Sequence, residues 1–106
     1  MAWIYLFIAG IFEIGFALGL KYSEGFTRLW PTLIMAASGG LSFYLLSVSM
    51  KSLPVGTAYA VWTGIGAAGT VVLGIAFLEE SGDLLRLVSI SLIVVGIVGL
   101  RISSPG

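Results

Sequence analysis

The chain has 106 residues, 58% of them hydrophobic and 9% charged, with five basic and five acidic side chains and a mean hydropathy of +1.12. This is the composition of a membrane protein, not of a soluble domain. Asn, Gln, His and Cys are all absent, which removes disulfides, thiolate and imidazole chemistry and nearly every zinc site, and zero net charge leaves no footprint for nucleic acid.

Four apolar runs are long enough to cross a hydrocarbon core about 30 Å thick, which takes roughly 17 to 25 helical residues. The expected architecture is therefore an all-α membrane protein with four transmembrane helices, over about 3–20, 30–50, 57–78 and 84–102. The first run has no basic segment before it and no small-residue cleavage pattern after it, so it reads as a span and not as a leader. Near its middle stands Glu13, the one charged side chain that cannot be placed at the end of a span. A lone carboxylate at that depth costs roughly 2.5 to 3.5 kcal/mol or more and by default marks an ion or proton pathway. Lys21, the nearest base in sequence, lies eight residues on, about 12 Å along a helix and beyond a lysine's reach. Gly15 and Gly19 add a GxxxG spacing, which serves either packing within the chain or a dimer seam.

Trp3, Tyr5, Tyr22, Phe26 and Trp30 fall near the predicted interfaces, where aromatic rings anchor helices. Pro31 suits the first turn of the second span. Ser38 and Ser42 put two hydroxyls on one face of that helix, either to serve a site or to bond back to their own backbone. After the break at Lys51 to Gly56, the third span carries Tyr59, Trp62 and Thr63 at i, i+3 and i, i+4 spacing. A phenol, an indole N–H and a hydroxyl could there face one cavity, flank a cation or simply pack. Gly64 and Gly66 leave that helix weakly braced, suited to a hinge or to packing notches. Glu79, Glu80 and Asp83 read as a solvated turn and not a metal site, with Ser81 or Asp83 available to cap the fourth span. Gly96 and Gly99 in that span repeat the question of packing against dimer seam.

Basic residues in short loops normally fix orientation, and here they conflict. Lys21, Arg28 and Arg86 fall on one side, Lys51 and Arg101 on the other. A bias of one residue permits insertion in both directions. Four short helices also make a small bundle, too small to line a solvated pathway alone, so an oligomer is expected. With no repeat and no low-complexity linker, residues 1–106 read as a single transporter domain.

Over nearly its whole length, the chain resembles the small multidrug resistance family. The resemblance is carried by Glu13, by the segment Lys21-Tyr-Ser-Glu-Gly-Phe-Thr-Arg-Leu-Trp-Pro31 and by Pro54-Val-Gly-Thr-Ala-Tyr-Ala-Val-Trp-Thr-Gly-Ile-Gly66. It implies a proton-coupled exporter in the bacterial inner membrane, working as an antiparallel, dual-topology homodimer without cofactor or metal, and not an enzyme. It further implies that Glu13 binds substrate or proton with Ser42, Tyr59 and Trp62 around it, and that Gly64-Ile-Gly66 carries a bend. Phe16, Ser38 and Thr63 are secondary pocket candidates.

The segments from Trp62 to Gly69 and from Gly96 to Arg101 are similar to the branch that exports guanidinium and its small derivatives, which usually ends with Lys where Arg101 stands. That branch typically carries Trp three residues after the glutamate. Phe16 stands there instead, preceded by Gly15, which is closer to the branch exporting quaternary ammonium and other hydrophobic cations. A planar fork of N–H donors matches a carboxylate, which favours the guanidinium reading. In the expected mechanism, cation and protons compete for two Glu13 carboxylates, whose burial and like charge disfavour ionisation. Helix rearrangement then exposes the site to each side in turn.

Overall fold

A computed structural model describes residues 1–103. It consists of four α-helices, α1 (Ala2–Tyr22), α2 (Leu29–Ser49), α3 (Val55–Phe77) and α4 (Leu84–Ser103). Each is long and apolar enough to cross a membrane, since 20 to 23 residues rise about 30 to 35 Å. The protein is a multi-pass membrane protein. α3 starts two residues before its expected start at 57 because Pro54, its N-cap, holds extended backbone and cannot itself continue a helix backwards.

α1 lies along both α2 and α3, while the backbone of α4 neighbours that of α3 alone. The core gathers toward the end that holds the start of α1. Trp3, Leu6 and Ala9 meet Leu46 of α2, Leu53 of the following turn, and Ala58, Val61 and Trp62 of α3. Glycine lets the helices come this close, as expected where lipid removes the hydrophobic drive for helix association. A Cβ placed on Gly19 would lie 3.0 Å from the backbone of Met35, and one on Gly10 would meet Ile65 at 2.6 Å. Gly15 faces Ser38 of α2, so the Gly15–Gly19 pair packs within the chain. Gly96 and Gly99 have nothing within 4 Å of the same position.

The turns hold the helix ends. Between α1 and α2 the buried Ser23 hydroxyl donates to the Leu20 carbonyl at 2.7 Å and accepts from the Phe26 N–H at 3.3 Å. Between α3 and α4, Asp83 is the cap: its Oδ1 accepts the Arg86 N–H at 2.9 Å, and the Ser81 hydroxyl donates to Oδ2 at 3.1 Å. The Arg86 N–H, the Ser81 hydroxyl and the nearby Arg86 charge together hold the Asp83 carboxyl below the ordinary aspartate range. Arg86 reaches back to Glu80 at 3.1 Å, the only ion pair among the described residues.

Candidate functional site

Glu13 projects from the middle of α1 onto α3, where Gly66 offers no side chain. A Cβ at Gly66 would lie 2.9 Å from the glutamate Cγ and closer still to its carboxyl, so glycine at this position makes the seat. A small cavity of about 30 Å³ opens beside it, bordered by Glu13, Phe16, Gly39, Ser42, Phe43 and Trp62. The ring of Phe16 lies against Gly39, again where a side chain would collide. One oxygen of Glu13, Oε2, is buried without a hydrogen-bond partner, and no cation pairs with the carboxylate among the described residues.

Ser42 ties three helices together at one oxygen. Its hydroxyl donates to the Ala9 carbonyl of α1 at 2.6 Å and accepts the Trp62 indole N–H of α3 at 2.8 Å. It does not bond back to its own helix. Trp62 is flanked by Phe43 at 5.4 Å and Tyr59 at 5.5 Å between ring centroids, both tilted. The single indole donor is thus committed to Ser42, and the Ser42 proton to Ala9. What the lining leaves uncommitted is acceptor capacity, the Glu13 carboxyl and the remaining Ser42 lone pair, among the rings of Phe16, Phe43 and Trp62. Such a site suits a cation that brings its own donors, or a proton.

The structure brings Glu13, Phe16, Ser42 and Trp62 to this cavity. Tyr59 stands behind Trp62 and is 55% exposed, and Thr63 is exposed without bordering the cavity. Ser38 lies one turn away against Gly15. Gly64 packs against Ile93 and Ile97 of α4, and α3 runs as unbroken α-helix through Gly64 and Gly66. Sequence reasoning missed Gly39 and Phe43 as lining residues. Gly39, three residues before Ser42, lies on its side of α2, a signal that was available; Phe43, one residue on, is turned about 100° away and offered none. The Ala9 carbonyl carries no side-chain signal at all.

The carboxylate, hydroxyl and indole that meet here lie within a stretch, residues 1–93, that matches the family described as Small Multidrug Resistance protein. The chain is 57% identical over 104 residues to a protein of Yersinia pseudotuberculosis named guanidinium exporter, covering 98% of this chain and 100% of that one. It is 55% identical over 104 residues to the protein of that name in Escherichia coli, covering 98% and 99% of the two chains. A namesake in Proteus vulgaris is 53% identical over 104 residues, covering 98% and 100%. With the family match extending through all three helices that build the cavity and the first half of the fourth, the chain belongs to the small multidrug resistance family.

Proposed function

We propose that this protein is a proton-coupled antiporter that exports guanidinium and small substituted guanidinium cations across the bacterial inner membrane. The observation that carries the reading is the Glu13 carboxyl, held inside a membrane-spanning bundle with one oxygen unpartnered. The names of the relatives in Yersinia, Escherichia and Proteus supply the substrate class. Guanidinium offers its N–H groups in a plane, so two can meet the carboxylate while a third meets the free lone pair of Ser42. Trp62 contributes a ring face, braced by Tyr59 and Phe43, to which a cation is attracted.

The functional unit in this proposal is an antiparallel homodimer. The cavity of about 30 Å³ has room for a water molecule or so, at about 30 Å³ of liquid each, and not for a hydrated cation pathway. α4 buries none of its residues, and the near-even division of Lys and Arg between the two ends permits both orientations. Pairing two copies head to tail brings two Glu13 side chains to one chamber. Protons and substrate then compete for the same two carboxylates, and that competition couples their opposed movements. Movement about Gly64 and Gly66 opens the chamber to one side at a time.

Purified protein in liposomes, read by solid-supported-membrane currents, tests the scheme. Guanidinium and methylguanidinium are expected to drive proton-coupled currents that Glu13→Gln abolishes; persistence of coupled current in that variant sinks the proposal. A second reading, export of quaternary ammonium and other hydrophobic cations, is favoured by the apolar walls at Phe16 and Phe43. Since such cations carry no N–H donors, a tetraalkylammonium current exceeding that of guanidinium would select it.

A further inference from the structure

On the far side of α3 from the α2 seam, α1, α3 and α4 leave an apolar groove of about 470 Å³ that plays no part in the site around Glu13. It exists because the backbone of α4 neighbours that of α3 alone, which leaves α1 and α4 apart on either side of α3, with Ile14 of α1 packed over Gly69. Ile14 forms its α1 wall and Val94 and Val98 its α4 wall, and Arg101 and Ile102 stand at its open end. From Val94 to Ile102 the groove runs eight helical residues, about 12 Å. One leaflet of a hydrocarbon core about 30 Å thick is about 15 Å deep. The groove therefore starts at headgroup level and ends near the depth of Glu13, spanning most of a single leaflet.

Charge selects the headgroup. The Arg101 guanidinium is held at the mouth by stacking 5.0 Å over the ring of the buried Trp3. That end of the bundle also carries Lys51 and the amino terminus, and no Asp or Glu side chain stands there. The opposite end mixes Glu24, Glu79, Glu80 and Asp83 with Lys21, Arg28 and Arg86. We infer that the α1–α3–α4 groove is a binding site for an anionic phospholipid, one acyl chain lying between Ile14 and the Val94–Val98 wall and the phosphate meeting Arg101. Bound there, the lipid joins α4 to the rest of the bundle.

Purified full-length protein in mild detergent, given equal amounts of phosphatidylglycerol and phosphatidylcholine with matched chains, is read by native mass spectrometry. Phosphatidylglycerol adducts are expected to exceed phosphatidylcholine adducts about five-fold, the value of one basic side chain near a headgroup, and Arg101→Gln is expected to bring the two to parity. Arg101→Lys keeps the preference. Val98→Trp, which fills the groove from an exposed position and leaves the charge in place, loses both lipids. Soluble glycerol phosphate is expected not to displace the lipid; displacement means a phosphate site without a chain seat and overturns the inference. Equal retention of both lipids by the unaltered protein overturns it too. The chain has no cysteine, so Ile14→Cys gives a unique thiol on the α1 wall of the groove, and its cross-linking between two copies would show a partner helix in place of lipid and overturn the inference.

Discussion

α1, α2 and α3 close around Glu13 through glycine notches and a single serine, whereas α4 buries none of its residues and its backbone neighbours that of α3 alone. The two regions answer the same lipid solvent differently. In the three-helix part, Ser42 and Trp62 have found partners within the chain, as hydrocarbon demands, while Glu13 Oε2 and the Trp3 indole N–H have none among the described residues. α4 has the serines at 89, 91 and 103 to settle, and all three donate to their own helix, to the Leu85, Leu87 and Leu100 carbonyls at 2.8, 2.9 and 3.1 Å. One region is finished by its own sequence and organised around an unsatisfied acid; the other is a satisfied helix with an unfinished surface.

The largest break in that contrast is expected from Gly66→Ala. The new methyl group takes the place of the Glu13 carboxyl, which ends a flexible side chain and can swing away, so the fold survives while the acid leaves its seat. A displacement of about 1 Å at a reacting group can cost on the order of 100-fold in rate. Transport currents are expected to fall by that order, with the thermal midpoint in detergent little changed. A collapse of the midpoint instead would make Gly66 a structural notch first.

Ser42→Ala comes next. It removes one bond to the Ala9 carbonyl and strands the buried indole N–H of Trp62, and an unsatisfied buried donor costs about 1–3 kcal/mol. Both stability and substrate affinity are expected to drop. Trp62→Phe placed on top removes the stranded donor, so the double variant is expected to be more stable than the sum of the two single losses. Simple additivity would mean that the serine and the tryptophan act independently.

Hydropathy made the four spans legible, and the isolation of one carboxylate made Glu13 legible, because burial of charge and of apolar surface are both read one residue at a time. Contacts between helices are not. Ser42 bonds a backbone carbonyl 33 residues away, and nothing in the residue type of Ala9 announces it. The spacing of Tyr59, Trp62 and Thr63 groups them on one side of α3, but at 3.6 residues per turn Trp62 stands about 60° from Tyr59 and about 100° from Thr63. That angle lets Trp62 reach the cavity while Thr63 does not. Gly64 and Gly66 looked alike as a flexible pair, yet two residues is about 200° around a helix, so one faces α4 and the other faces Glu13. A glycine motif shows where something comes close; its partner is set by the fold.

The same pair sharpens the comparison at smaller amplitude. Alanine at Gly64 would put a methyl group 3.0 Å from Ile97 and 3.3 Å from Ile93, prying at the seam between α3 and α4. Alanine at Gly96 meets nothing within 4 Å. Gly64→Ala is expected to lower the melting midpoint by a few degrees, and Gly96→Ala to leave it unchanged or raise it through better helix propensity. If Gly96→Ala instead reduces the dimer fraction in detergent, the outer face of α4 is a contact surface between copies.

Asp83 governs how α4 begins, and its effect is expected to be the smallest because the cap lies in water beyond the bundle. The Arg86 N–H and the Ser81 hydroxyl bond the ionised carboxylate and hold its pKa below the unfolded value. A group depressed in this way adds stability that is fully present above its unfolded pKa, about 3.9 for aspartate, and is lost as pH falls through the lower folded one. The melting midpoint should therefore carry no Asp83 contribution to its slope at neutral pH and a shallow decline below about pH 4. Asp83→Asn keeps a side-chain oxygen able to cap the helix but cannot titrate, so it should flatten that decline while nearly preserving the neutral midpoint. An unchanged decline would place the acid sensitivity on other carboxylates, with Glu80, the partner of Arg86, the first to examine.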